Sequence, residues 1–407
     1  MTSEDRLPAR YWRLWWAGAI DNVGNGAFVT VVPLLAVTLT PDPRLISMVA
    51  AASFVPWLLF SLPVGALVDR HSRIALMRGA QLFQAVIVAG MVVLVAAGAM
   101  KIGYLTAGAF AIGVGQVVFG IASQSVLPEI VDTRLLGLAN ARQYLATTIG
   151  QGFLGPPVGS LLFGLAVALP FGLDVTTLVV SALLLTTLRS TSRPRLGETG
   201  APQRHAIVEG LRWLVRHRLL RTLALLLGIN TFCFQLGSVT LVLLATRELG
   251  VTPARYGLLL AVAAVGSVLG GLLTARLTRA LGQIPVLVVA LAINAVAFVL
   301  LGLSPNAWAL AALLALSGLV TAMWNVVTVT LRQELVPLDL LGRVNSVYRL
   351  LGWGLIPLGA LAGGLIAYEM DVRAAYPIAG TLRMVALASS LPLLIQAHRQ
   401  GPQSAVD

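Results

Sequence analysis

Asp21 is the residue best placed to do chemistry, because it lies inside an apolar run that begins near Leu14. About seven residues into a helix rising 1.5 Å per residue, its carboxyl falls roughly 10 Å from the end of that run. An acid within a bilayer costs a few kcal/mol to insert and is a functional candidate by default. Asn22 and Asn25 share its helix face, which makes a polar stripe on an otherwise apolar segment. Such a carboxyl suits a group that binds and releases a proton; a structural Asp held by neighbouring donors is the alternative. Gln116, Gln151, Asn230, Gln235, Trp324 and Asn325 also interrupt apolar runs and together outline an amphipathic cavity with few charges. Taken singly, each of them is better explained by ordinary packing than by ligand contact. Arg383 either faces that cavity or snorkels outward from a span that starts late.

A second constellation lies between apolar runs. Gly65 to Arg73 reads GALVDRHSR, in which Gly65 permits close helix approach and Asp69, Arg70 and Arg73 supply a carboxylate and donors. Such groups suit an interface that parts and re-forms, although arginines between apolar runs also serve topology alone. Glu129 is placed to pair with Arg70 or Arg73, and Glu334 with Arg276 or Arg279, as ion pairs of an inner gate. The other reading leaves both acids unpaired at the interface.

Several chemistries are excluded by residue type. A nucleotide-binding loop of the GxxxxGK[ST] kind needs Lys before Ser or Thr, yet the only lysine, Lys101, precedes Ile102. The four histidines, His71, His205, His217 and His398, form no cluster with the single cysteine, Cys233, so no metal ligand set and no cofactor is expected. Arginines come in small groups without interleaved aromatics, which argues against nucleic acid and for membrane orientation.

The elements that must position these groups follow from composition. With 57% apolar and 11% charged residues, 407 residues cannot cover a water-soluble surface of ordinary design. Twelve spans of about 20 residues each use about 240 of them. Among these the pattern sets the fifth at 144–169, the sixth at 175–188, the eleventh at 346–368 and the twelfth at 376–396. If both termini are cytoplasmic, 22 of the 28 Lys and Arg fall in cytoplasmic segments, as the positive-inside rule requires. Trp12, Trp15 and Trp16 beside Arg13 suit an anchor at the inner face. Residues 190–203 form a Pro/Gly/Ser/Thr-rich linker, and Arg204 to Arg218 is patterned as an amphipathic helix on the inner leaflet or a plain linker helix. The expected organisation is a six-helix half over 1–189, a cytoplasmic linker over 190–218 and a second six-helix half over 219–407.

The halves repeat. Shifting the chain by 205 residues places Glu129, Leu135, Gly137 and Asn140 on Glu334, Leu340, Gly342 and Asn345, and a shift of 206 places Gly65, Arg70 and Arg73 on Gly271, Arg276 and Arg279. Equal offsets in the same order mean parallel repeats. The fold expected is therefore an all-α membrane protein of twelve transmembrane helices in two pseudo-symmetric six-helix halves.

GALVDRHSR resembles the signature loop of the major facilitator superfamily, with Ser72 where the family pattern usually has Gly and Ala275 replacing the acid in the second copy. GQGFLGPPVGS, Gly150 to Ser160, is similar to the Gly-Pro motif of the family's antiporters, which gives Gly155, Pro156, Pro157 and Gly159 a packing or hinge role. Longer phrases, FVPWLLFSLPVGALVDRHSR and LGRVNSVYRLLGWGLIPLGALAGGLIA, resemble the bacterial branch of macrolide efflux proteins and the enterobactin exporter. That resemblance implies proton-driven export of a bulky, largely apolar small molecule across the bacterial cytoplasmic membrane, with protons and a small-molecule substrate as partners and no protein partner. The stretch AIGVGQVVFG has Gln116 where the antiporters often carry Arg, so proton coupling rests on Asp21 and family habit. An uptake symporter for a small polar metabolite and a non-transporting sensor on the same fold are the alternatives.

Overall fold

Residues 7–188 and 211–400 are described by a computed structural model. The linker expected at 190–203 and the first residues of the amphipathic segment from Arg204 lie outside the described residues; residues 211–216 are helical. Every regular element described is a helix: α1 Ala9–Leu39, α2 Pro43–Arg70, α3 Arg73–Ala96, α4 Ile102–Ile130, α5 Leu136–Thr147, α6 Gly155–Leu165, α7 Leu169–Thr186, α8 Arg218–Leu243, α9 Pro253–Leu281, α10 Gln283–Gly302, α11 Ala307–Leu335, α12 Leu338–Gly354, α13 Ile356–Glu369 and α14 Ala375–Gln400. Val86, Leu165, Leu272 and Trp308 are at least 70% exposed. Apolar side chains so placed belong in lipid rather than water.

Among the described residues eleven helical stretches are long and apolar enough to cross a membrane. The expected fifth span accounts for the twelfth, because it is broken into α5, a π-helical stretch Thr148–Leu154, and α6. Pro156 and Pro157 lack the N–H groups that would bond four residues back. The ladder there lengthens by one residue, and the Gly155 amide donates to the Gly150 carbonyl instead. The eleventh span is interrupted too, between α12 and α13 at Leu355, just before Pro357. Adding the repeat offset of 205 to Gly150 gives Leu355, so both halves interrupt their fifth helix at the same place.

One other boundary differs from the pattern: α7 begins at Leu169 rather than 175, which brings Asp174 into the helix. α14 begins at Ala375, next to the expected 376, so Arg383 sits well inside its span.

The described residues pack as two compact units. One gathers α1 with residues 52–188 and 252–261; the other gathers residues 42–51, 211–251 and 262–400. In the first, α3 packs on α4 and α7, and α1 on α6 and α7; in the second, α10 packs on α11 and α14, and α8 on α13 and α14. The packing scheme therefore repeats as the sequence does. A buried tyrosine ties the first and fifth helices of each unit: the Tyr11 hydroxyl donates to the Ala139 carbonyl at 3.0 Å, and the Tyr348 hydroxyl to the Leu220 carbonyl at 2.7 Å.

Candidate functional site

Polar groups of the first unit gather where α1, α3 and α7 meet. Asp21 lies within interaction range of Gln81 of α3. Gln81, fully buried, donates to Ser181 Oγ of α7 at 2.9 Å and accepts from Gln84 Nε2 at 3.2 Å. Asp174 of α7 is 4% exposed and close enough to Asp21 for the two carboxyls to interact electrostatically. A Cβ on Gly24, one turn along α1 from Asp21, would stand 2.8 Å from Asp174 Oδ1, so glycine there makes room for the second acid. Asp21 is thus not the only intramembrane acid. Sequence reading missed Asp174 because the hydropathic start of the sixth span was set one residue beyond it; the apolar residues Leu169 to Leu173 ahead of it were the available signal.

The rest of the polar stripe on α1 is satisfied by neighbours. Asn22 Nδ2 donates to Thr147 Oγ1 of α5 at 3.3 Å, and Gln116 Nε2 of α4 donates to Asn25 Oδ1 at 3.1 Å. Gln151 lies in the π-helical stretch with its backbone against Gly26 of α1. Gly155 and Gly159 let α6 approach equally closely: a Cβ at Gly155 would lie 2.6 Å from Gly26 Cα, and one at Gly159 2.7 Å from Ala27 Cα.

At the far end of α2 and α3, Arg73 donates to the Ser125 carbonyl at 2.7 Å and forms an ion pair with Glu129. Gly65 and Arg70 belong to α2, which ends at Arg70, and Asp69 lies outside the described side chains. Ser72, with φ −60°, needs no glycine conformation and instead caps α3 by accepting from the Ala75 amide at 3.4 Å. The second unit departs from expectation. Arg276 and Arg279 are exposed, Arg279 Nε donates to the Ala275 carbonyl at 3.0 Å, and Glu334 accepts from Gln283 Nε2 at 3.1 and 3.2 Å rather than from either arginine. The reason is register: Arg73 opens α3, and the residue that opens the corresponding α10 is Gln283, because α9 runs on through Arg276 and Arg279 before ending at Leu281.

The second unit also holds an open-sided cavity of about 190 Å³ between α8, α10, α11 and α14. Asn230, Trp324 and Asn325 line it, together with Leu227, Phe234, Asn294, Thr321 and Arg383. Gln235 does not; it is buried one turn away, against Gly359 of α13. Arg383 therefore faces the cavity. Its Nη2 donates to the Asn230 carbonyl at 3.0 Å and its Nη1 to Asn294 Oδ1.

The family described as "Transmembrane secretion effector", a branch of the major facilitator superfamily, matches residues 8–403. The chain belongs to that family. It is similar to the multidrug efflux pump Tap of Mycolicibacterium fortuitum, 26% identical with 97% of this chain and 95% of that protein covered. It is similar also to macrolide efflux protein A of Streptococcus pyogenes, 22% identical over 96% of this chain and 97% of the relative. Among solved structures the nucleoside transporter NupG superposes with a TM-score of 0.73 at 13% identity, covering 94% of this chain and 99% of that one. A bacterial homologue of the iron transporter ferroportin, inward-facing, reaches 0.67 at 18% identity, covering 93% and 98%. These likenesses carry the fold. As a member of the secretion-effector family the chain is a multi-pass membrane transporter and not an enzyme.

Proposed function

We propose that this transporter exports a bulky, largely apolar small molecule, drug-like or siderophore-like, in exchange for protons by alternating access. It sits in the bacterial cytoplasmic membrane with both termini inside, which the arginine distribution supports. The observation that carries proton coupling is the pairing of Asp21 with Asp174 in a membrane-embedded polar cluster. Neither acid forms an ion pair among the described residues. The pair is a proton acceptor without a fixed counter-charge, with Gln81 beside one of its carboxyls.

In this reading Asp21 and Asp174 take a proton from outside and release it to the cytoplasm, while the Arg73–Glu129 pair holds one state of the cycle. Gly65, Asp69 and Arg70 belong to the same switch, with Arg276, Arg279 and Glu334 as its second-half counterparts. The driving force suffices: one charge crossing 100 mV supplies about 2.3 kcal/mol, and each pH unit about 1.4 kcal/mol. The efflux direction is supported by the relatives named above.

A growth-inhibition screen of amphipathic compounds, with and without expression in a pump-deficient host, identifies the substrate. That compound should then accumulate in inside-out vesicles and leak out on adding a protonophore. Accumulation indifferent to the protonophore would refute the coupling. Uptake of a small polar metabolite is the alternative, and accumulation in right-side-out vesicles alone would establish it.

A further inference from the structure

One feature of the cavity in the second unit is unused by the proton pathway: a buried guanidinium with no carboxylate beside it. Arg383 is 6% exposed and lines the cavity. Its neighbours are the Asn294 amide oxygen, the Asn230 carbonyl, the Phe298 ring 3.7 Å from Cζ, and the Cys233 thiol. Nε is buried and has no hydrogen-bond partner, and among the described residues Arg383 makes no ion pair.

Arginine stays charged in proteins and presents its donors as a planar fork that matches a carboxylate. Two of those donors are committed to neutral oxygens. A cation buried without counter-charge carries a desolvation cost that a bound anion offsets. The Asn294 amide is neutral and fixed in place: its Nδ2 donates to Thr321 Oγ1 at 3.0 Å and Ser317 Oγ at 3.4 Å, which keeps its oxygen toward the guanidinium. The remaining walls, Leu227, Phe234, Leu291 and Trp324, suit an apolar or aromatic body.

We propose that this cavity seats the anionic group of an organic monoanion, held by Arg383 with its body against the apolar walls, and that such anions are this transporter's substrate class. The inference deepens the export reading and rests on the cavity lying on the substrate's path. Cationic congeners of the same molecules are then poor substrates.

The test is equilibrium binding of 2-naphthoate and its neutral isostere 2-naphthamide to the full chain in lipid nanodiscs, by calorimetry. Burying a hydrogen-bonded charge pair predicts that wild type prefers naphthoate about 30-fold or more. Arg383→Gln should bring the two probes close to parity, and Arg383→Lys should retain part of the preference. Asn294→Asp keeps the side-chain shape and sets a carboxylate on the guanidinium, so it too should erase the preference, and its fold is protected by the new ion pair. Equal affinity in wild type, no naphthoate binding at all, or a preference surviving Asn294→Asp would overturn the proposal. No gradient is present in this assay. Selective binding without proton-driven accumulation in vesicles would therefore sink the coupling and keep the anion site, and the converse would sink the site alone.

Discussion

The two inner-end acids, equivalent by sequence offset, are not equivalent in chemistry. Glu129 meets the cation Arg73, whereas Glu334 meets the neutral amide of Gln283. A partly exposed ion pair contributes about 1 kcal/mol, or roughly five-fold in an equilibrium. Glu129→Gln should therefore slow substrate export about five-fold in vesicles, with Glu334→Gln within about two-fold of wild type, and the exchange Arg73→Glu with Glu129→Arg should recover part of the loss. Equal effects of the two single variants would return both acids to a plain interfacial role. The sequence made Asp21, Asn22 and Asn25 visible because polar residues stand out in an apolar run. It hid Asp174, because an acid near the end of a span looks like the first residue of a loop. The partner of Glu334 was hidden too, since residue identity at a fixed offset says nothing of where a helix stops.

At the scale of elements, the fifth helix carries most of the specific engineering. The π-helical turn follows from Pro156 and Pro157, and the close approach of α6 to α1 from Gly155 and Gly159. Gly155→Val forces a side chain into the backbone of Gly26, an overpacking that costs about 1–3 kcal/mol. It should lower the midpoint of thermal unfolding in detergent, while the exposed Gly137→Ala should leave it in place. Another element is capped by a histidine: buried His217 accepts from the Leu220 amide through Nδ1 at 3.3 Å at the start of α8. Burial lowers its pKa from the ordinary 6.5, so the folded chain keeps it neutral. Stability from this group is complete above that pH. It falls as acidification lets the unfolded chain bind a proton that the folded chain refuses, by up to about 1.4 kcal/mol per pH unit. His217→Asn keeps a capping side chain without titrating and should flatten that acid limb in thermal melts from pH 7 to 5; an unchanged limb would exclude His217. Hydropathy announced the helices themselves, but their interruptions were illegible, because a mean over apolar residues does not register a single shifted hydrogen bond.

For the whole molecule, the repeat offset and the matched packing of α3 with α4 and α7, and of α10 with α11 and α14, describe one design used twice. The two copies have diverged in their chemistry: one embeds paired acids, the other a lone arginine in a cavity. On the reading proposed above, the first copy handles the proton and the second holds the substrate's anionic group. The most direct test of this account loads inside-out vesicles with a pH-sensitive dye, acidifies them by respiration, and adds the substrate found by growth inhibition. With the wild-type chain, substrate addition should raise the luminal pH as protons leave in exchange. With Asp21→Asn or Asp174→Asn the lumen should stay acid, while substrate still equilibrates downhill. Luminal alkalinisation and uphill accumulation undiminished in both variants would contradict the account, because the proton would then be carried by groups other than this pair.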